Sequence, residues 1–174
     1  EETLCRSSAL YHTLEGDPMY AAHAKHPTSD STAWAILSPG VPVFRTDGGK
    51  PLELPWLCNF ITCAAPYAPT IGQPASRILL KQRISRVLAI ARAYSYTSLV
   101  LGAWGCGAFG NDGYQIARLF KQALDDNFEG AFENVIFAIT DWSIDDRFIG
   151  PFMKVLGGWG LEGQSIRKGL RIEY

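Results

Sequence analysis

A glycine-rich segment, residues 102–112, has the composition of a main-chain anion site. It reads GAWGCGAFGND, follows a short apolar run and precedes a stretch with helical periodicity. Glycines let the backbone turn sharply and bring several N–H groups close to one anion, and the start of a helix adds partial positive charge. A tight turn alone needs one glycine, whereas this segment has four within nine positions. The segment therefore predicts a site for a phosphate or a diphosphate.

Two adjacent carboxyl groups, those of Glu1 and Glu2, stand where the first predicted helix begins. A positioned carboxyl group can act as a general acid or base. Acidic residues are also common in the first turn of a helix for purely structural reasons. The two residues by themselves leave both interpretations open.

The glycine-rich segment also contains a dinucleotide-type pattern, G-x-G-x-x-G, from Gly105 to Gly110. That pattern expects an acidic residue about 20 positions further on, at the end of the next strand. Asp125 and Asp126 have the spacing but lie at the end of a predicted helix, and Asp141 ends the next strand but is too distant. An NAD-binding oxidoreductase therefore remains an alternative. A Walker-type loop is excluded because the chain has no Gly-Lys-Ser/Thr sequence.

The composition is that of one globular domain with room for a small appendage. The chain has 174 residues, a formal net charge of -1 and 19% charged residues. This balance argues against a broad surface for duplex nucleic acid, and no apolar run reaches the roughly 18 residues of a membrane span. Four cysteines without a Cys-x-x-Cys pair predict buried thiols in a reducing cytoplasm. The three histidines follow no common ligand spacing, so we expect neither a metal nor a cofactor.

The hydrophobic pattern predicts alternating strands and helices in the second half of the chain. Short apolar strands at 98–101 and 134–140 are expected to be buried on both faces, which favours a largely parallel sheet covered on both sides. The helix over 77–94 has an expected inward stripe of Ile78, Ile84, Val87, Leu88 and Ala91. The other expected elements are a helix over 1–16, a polar loop through His23 and His26, strands over 33–37, 41–45 and 59–65, a helix over 113–127, and a solvated basic end at Arg167, Lys168 and Arg171.

Three motifs, in the expected order, resemble the microbial-type poly(ADP-ribose) glycohydrolases, a branch of the macrodomain superfamily. Residues 102–111 resemble the family's second ligand loop. Residues 1–6 resemble the end of its Gly-Gly-Gly…Gln-Glu-Glu catalytic signature, and residues 38–45 are similar to a further family segment. The triple glycine and the glutamine would precede Glu1 and are not in the sequence. We therefore expect an N-terminally incomplete catalytic domain.

The resemblance implies a macrodomain-like three-layer α/β/α sandwich with a mixed, largely parallel sheet. Residues 1–141 would form the catalytic domain and 142–174 an appendage of it. The implied reaction is hydrolysis of ribose–ribose bonds in poly(ADP-ribose), which releases ADP-ribose through an oxocarbenium-like transition state. The implied partners are poly(ADP-ribose) or ADP-ribosylated proteins, with no direct nucleic acid and no membrane. An ADP-ribose-binding module without catalysis is an alternative.

The resemblance also assigns residue roles. Glu2 would be the general acid/base, Glu1 would hydrogen-bond the ribose, and Phe109 would pack against the terminal ribose. Asn111 would either contact the ligand or cap the following helix together with Asp112. The implied substrate-binding residues are Gly105, Cys106, Gly107, Ala108, Phe109, Gly110 and Asn111.

Overall fold

The structure is a computed structural model that describes residues 1–26, 28 and 30–157. The basic end expected at Arg167, Lys168 and Arg171 lies outside these residues. The chain divides into two compact units. The first contains residues 1–26 and 31–64, and the second contains residues 65–157 with Thr28 and Asp30.

The chain combines helices and strands in an α/β fold. In the described ranges, no helix combines the length and apolarity that a membrane span requires. The elements in chain order are α1 (Glu2–Ser7), α2 (Leu10–Leu14), α3 (Pro18–Lys25), β1 (Ala35–Arg45), β2 (Pro51–Cys63), α4 (Ala68–Ile71), α5 (Ala75–Ala93), β3 (Ser98–Leu101), α6 (Gly113–Asn127), β4 (Asn134–Phe137) and α7 (Ile149–Leu156).

The first unit is built on an antiparallel pair of long strands, β1 and β2, which pair from Ala35 opposite Cys63 to Arg45 opposite Pro51. The prediction of separate strands over 33–37 and 41–45 is wrong. The register shifts between Ser38 and Val41, so the residues expected to break the strand form a bulge instead. Gly40 permits the bulge because it adopts a positive φ of 62°. The strand predicted over 59–65 is the end of the longer β2.

The helix predicted over 1–16 is also wrong, because two helices occupy that range. The backbone N–H of Ala9 donates to the carbonyl of Pro42 on β1, 3.0 Å away, and so leaves the helical pattern. Ser8 marks the break. Its hydroxyl oxygen accepts from the Leu10 N–H at 3.2 Å. The core of this unit contains Leu10, Leu14 and Val41.

The polar loop expected through His23 is instead α3. Asp17 caps this helix by accepting from the Met19 N–H at 2.8 Å, and Pro18 occupies the first turn. Both are standard helix-start signals. Of the two histidines of the expected loop, His23 lies in this helix, whereas His26 follows its last residue as the C-cap.

The second unit contains the parallel pair β3 and β4, with Ser98 opposite Asn134 and Leu101 opposite Phe137. The parallel relation and the span of α6 agree with the sequence prediction, and Ile116, Phe120 and Leu124 of α6 are buried. The expected burial of β3 on both faces is wrong because Val100 is 72% exposed. The strand predicted over 134–140 ends at Phe137.

Helix α5 buries most of the predicted stripe, because Ile84, Leu88 and Ala91 are buried as predicted and Val87 is half-buried. Ile78 is exposed, and the buried positions include Leu80, Ile84, Leu88 and Ala91. Arg83 is buried beside this stripe, and its guanidinium donates to the carbonyl oxygen of Asp30. A main-chain acceptor thus allows a cation to occupy a position where periodicity alone expects an apolar side chain.

Candidate active site

The glycine loop, residues 102–112, connects β3 to α6 and is held by its own main-chain hydrogen bonds. The N–H of Cys106 donates to Ala103 at 3.0 Å, that of Gly110 to Gly107 at 3.0 Å, and that of Asn111 to Gly105 at 3.0 Å. Residues 107–109 of the loop are exposed, and their N–H groups differ from those just named. Within the part of the chain that the structure describes, the N–H groups of these three residues donate no hydrogen bond. They are available donors for an anion.

Two glycines of the loop are required by the protein's own packing. Gly105 has a positive φ of 75°, and a Cβ there would lie 2.8 Å from Ala65 Cβ and 2.8 Å from Asn111 Nδ2. Gly110 has a positive φ of 62°, and a Cβ there would lie 3.0 Å from Pro69 Cγ. Gly107 has neither constraint, because no atom lies within 4 Å of a Cβ built on it and its φ is outside the left-handed region. The bare backbone at Gly107 therefore leaves open space beside its N–H.

Asn111 is buried and ties the loop to two other segments. Its Nδ2 donates to the carbonyl of Pro66 at 2.9 Å and to that of Gly105 at 3.1 Å. Its Oδ1 accepts from the Ser76 hydroxyl at 2.7 Å. The cap of α6 is Asp112, which accepts from the Gln115 N–H at 2.7 Å. Both polar atoms of the Asn111 side chain are therefore used inside the protein.

Phe109 projects from the loop with its side chain 42% exposed. Its carbonyl accepts from the Ala68 N–H at 3.0 Å. Its ring meets that of Tyr67 edge-on, with centroids 6.2 Å apart and an interplanar angle of 76°. An aromatic ring held in this way can pack an exposed surface against an apolar face of a ligand.

Glu1 and Glu2 lie in the first unit, at the start of α1. The Glu2 side chain is 93% exposed. A hydrogen bond from its own main-chain N–H holds the pKa of the Glu2 carboxyl below its usual range. A general acid needs the opposite shift, which burial under a ligand would supply. Glu1 accepts a hydrogen bond of 3.0 Å from the Tyr20 hydroxyl, and burial together with this bond raises the pKa of Tyr20.

Asp141 anchors the segment that follows β4. Its buried carboxylate accepts from the N–H groups of Ser143 at 2.9 Å, Phe148 at 2.7 Å and Ile149 at 2.9 Å. Burial alone would raise its pKa, but a hydrogen bond from the Ser143 hydroxyl, together with these N–H bonds, holds the pKa well below the usual range. A cavity of about 320 Å³ lies between the glycine loop, the start of α6 and residues 147–151. Residues 147–151 have no sequence motif that predicts a place beside the glycine loop.

The cysteines and histidines provide no second centre. Cys5, Cys58 and Cys63 are half-buried rather than buried as expected, and only Cys106 is buried. His23 Nε2 lies 2.8 Å from the Thr32 hydroxyl. Among the residues that the structure describes, no three His, Cys, Asp or Glu side chains converge as metal ligands would.

Cys106 is expected to be the least reactive thiol of the four. Burial raises its pKa to about 12, and the nearby Asp112 carboxylate adds to the effect. The thiolate is the nucleophile, so a rise from an ordinary pKa near 9 lowers its population about 1000-fold. Iodoacetamide should label the other cysteines first and reach Cys106 only on unfolding. Rapid labelling of Cys106 in the folded protein, located by peptide mass spectrometry, would contradict this burial.

A comparison with protein-family models covers two of the three sequence motifs. A family model for the microbial-type poly(ADP-ribose) glycohydrolase catalytic domain matches residues 1–46, which include Glu1, Glu2 and the 38–45 motif. No match was found among curated proteins.

Solved structures match over nearly the whole chain. A poly(ADP-ribose) glycohydrolase from Deinococcus radiodurans in complex with ADP-ribose is 39% identical, with a TM-score of 0.88 over 91% of this chain and 67% of that one. The enzyme from Thermomonospora curvata is 40% identical, with a TM-score of 0.84 over 88% of this chain and 59% of that one. The chain belongs to the bacterial poly(ADP-ribose) glycohydrolase family.

Proposed function

We propose that this chain hydrolyses the ribose–ribose glycosidic bonds of poly(ADP-ribose) and releases ADP-ribose. The observation that carries the proposal is 39% identity over 90% of the chain to a poly(ADP-ribose) glycohydrolase solved with ADP-ribose. The enzyme would act on poly(ADP-ribose) or on ADP-ribosylated proteins inside the cell.

The glycine loop would hold the diphosphate of ADP-ribose. The free N–H groups of residues 107–109 supply donors, and the open space at Gly107 gives a phosphate oxygen access to them. The loop contains no Lys or Arg, so main-chain amides and the start of α6 would provide the attraction. Phe109 would pack its exposed ring against the terminal ribose. Asn111 would contribute by fixing the loop through its side-chain amide rather than by contacting the ligand.

Glu2 would carry the chemistry. Protonated, it would donate to the leaving oxygen as the ribose C1–O bond breaks, and the resulting carboxylate would then remove a proton from the attacking water. Glu1 would accept a hydrogen bond from the ribose, with its carboxylate held by the Tyr20 hydroxyl. Glu2 can donate a proton only when its carboxyl is protonated. The bound substrate must therefore raise the pKa of Glu2, which is below its usual range in the free protein.

We also propose the finer architecture implied by the family. Residues 1–141 would form a macrodomain-like catalytic domain with a three-layer α/β/α arrangement, and residues 142–174 an appendage of it. The parallel pair β3 and β4, with helices α5 and α6 in the same unit, supports this assignment.

One observation favours a second function, binding of ADP-ribose without cleavage. The Glu2 carboxylate is exposed and its pKa is lowered, which suits an anion better than a proton donor. In this second function the glycine loop and Phe109 would still bind ADP-ribose, but Glu2 would not act as a general acid.

The experiment that separates these functions combines a cleavage assay with a binding assay. The protein is incubated with poly(ADP-ribose), release of ADP-ribose is followed by chromatography, and ADP-ribose binding is measured by calorimetry. We expect both release and binding. Binding without release would favour the non-catalytic module, and the absence of both would reject the proposal. Tight binding of intact NAD with hydride transfer would instead indicate an oxidoreductase.

A further inference from the structure

A short stretch, residues 65–69, contacts the glycine loop at Gly105 and at residues 109–111. We call it the support segment. It begins in the connection after β2 and ends in α4, far from the loop in the sequence. Its contacts with the loop are Ala65 against Gly105, the Pro66 carbonyl with Asn111, the Tyr67 ring and the Ala68 N–H with Phe109, and Pro69 against Gly110.

The contacts around Phe109 fix both its backbone and its ring. The Ala68 N–H bonds the Phe109 carbonyl at 3.0 Å. The Tyr67 ring lies beside the Phe109 ring at 6.2 Å between centroids. Without the neighbouring ring, an exposed phenylalanine would distribute over its staggered rotamers. Tyr67 is itself 38% exposed. It is therefore a surface residue whose ring lies beside Phe109, and it does not belong to the hydrophobic core.

We propose that Tyr67 is a positioning residue for ADP-ribose binding, which holds the Phe109 ring in the orientation that packs on the terminal ribose. This inference rests on the proposed function, since it takes ADP-ribose as the ligand. The edge-on geometry is the favoured arrangement of two aromatic rings and leaves part of the Phe109 ring exposed. Tyr67 would act through its ring alone, so its hydroxyl group is dispensable.

The test is a double-mutant cycle on ADP-ribose affinity, measured by calorimetry. Tyr67→Ala should weaken binding about 2- to 12-fold, the range expected for an aromatic pair, and Tyr67→Phe should bind as the wild type does. Phe109→Ala should weaken binding further. Adding Tyr67→Ala to it should have no additional effect, because Tyr67 acts only through the ring that is already removed.

Tyr94→Ala provides the matched control. Tyr94 is 61% exposed, stacks on Tyr96 and lies in the same unit, outside the loop and the support segment. It should leave affinity unchanged, and all variants should melt close to the wild type by circular dichroism.

Additive effects of the two substitutions, or a loss in Tyr67→Phe equal to that in Tyr67→Ala, would overturn the positioning role while leaving the proposed function intact. If Phe109→Ala binds normally, the ribose does not pack on that ring and both assignments fail. A wild-type protein that binds no ADP-ribose would reject the proposed function itself and, with it, this inference.

Discussion

Replacement of Glu2 by glutamine is expected to lower kcat on poly(ADP-ribose) by about 10²- to 10⁴-fold, the usual contribution of a general acid or base. Glutamine has nearly the same shape but cannot transfer a proton. Binding of ADP-ribose should remain within a few-fold of the wild type, since the glycine loop and Phe109 are unchanged. The measurements are the initial rate of ADP-ribose release and the dissociation constant of ADP-ribose.

The Glu2 substitution isolates chemistry from folding. The side chain is 93% exposed, and exposed substitutions usually change stability by less than about 0.5 kcal/mol. Glu129→Gln, which removes an exposed carboxylate from the second unit, is the matched control and should retain full activity. Wild-type rates in Glu2→Gln, with ADP-ribose still bound, would show that another group transfers the proton.

The pH dependence should show the effect of substrate on Glu2. A general acid must be protonated, so activity is lost as pH rises through its pKa. The profile of kcat/KM reports the free protein and that of kcat the complex. The pKa of Glu2 in the free protein is below its usual range, so kcat/KM should begin to fall at lower pH than kcat. Both dependences should disappear in Glu2→Gln, and coincident profiles would mean that substrate does not raise the pKa.

The glycine loop and α6 could be predicted because their signals are local. Asp112 provides a cap, the apolar residues after Gly113 repeat with the helical period, and the four glycines of the loop lie within nine positions of the sequence. The same local patterns assigned β3 to its correct residues. Local patterns could not predict how far β3 is buried, because the exposure of Val100 depends on which elements cover the pair of strands β3 and β4.

Features that depend on distant partners could not be predicted. The first helix breaks because Ala9 bonds Pro42 of β1, and Arg83 is buried because Asp30 offers a carbonyl. The support segment has no motif of its own. Tyr67 gains its proposed role only from the fold, which brings it beside Phe109. Residue type and spacing contain no information about such contacts.

Two alanine substitutions in the glycine loop should affect different properties: Gly105→Ala the stability of the fold, and Gly107→Ala the affinity for ADP-ribose. Gly105→Ala is expected to destabilise the fold, because its positive φ costs about 1–2 kcal/mol for an L-residue and crowding against Ala65 and Asn111 adds about 1–3 kcal/mol. The combined loss corresponds to a melting temperature lower by about 4–20 °C. Thermal unfolding followed by circular dichroism measures it.

Gly107→Ala should leave the fold intact and weaken ADP-ribose binding. The added methyl group meets no protein atom within 4 Å and needs no left-handed φ, so the melting temperature should stay the same or rise slightly. The methyl group would occupy the space through which a phosphate oxygen reaches the free N–H groups. If this steric cost resembles that of overpacking, about 1–3 kcal/mol, affinity falls about 5- to 150-fold.

Gly48→Ala controls for the substitution itself, since Gly48 also has an ordinary φ and its nearest contact would be Thr46 Oγ1 at 3.8 Å. It should change neither the melting temperature nor the affinity. Unchanged ADP-ribose affinity in Gly107→Ala would place the diphosphate away from this part of the loop. A lowered melting temperature in the same variant would mean that the glycine serves the fold, and the open space beside it would then no longer argue for a bound phosphate.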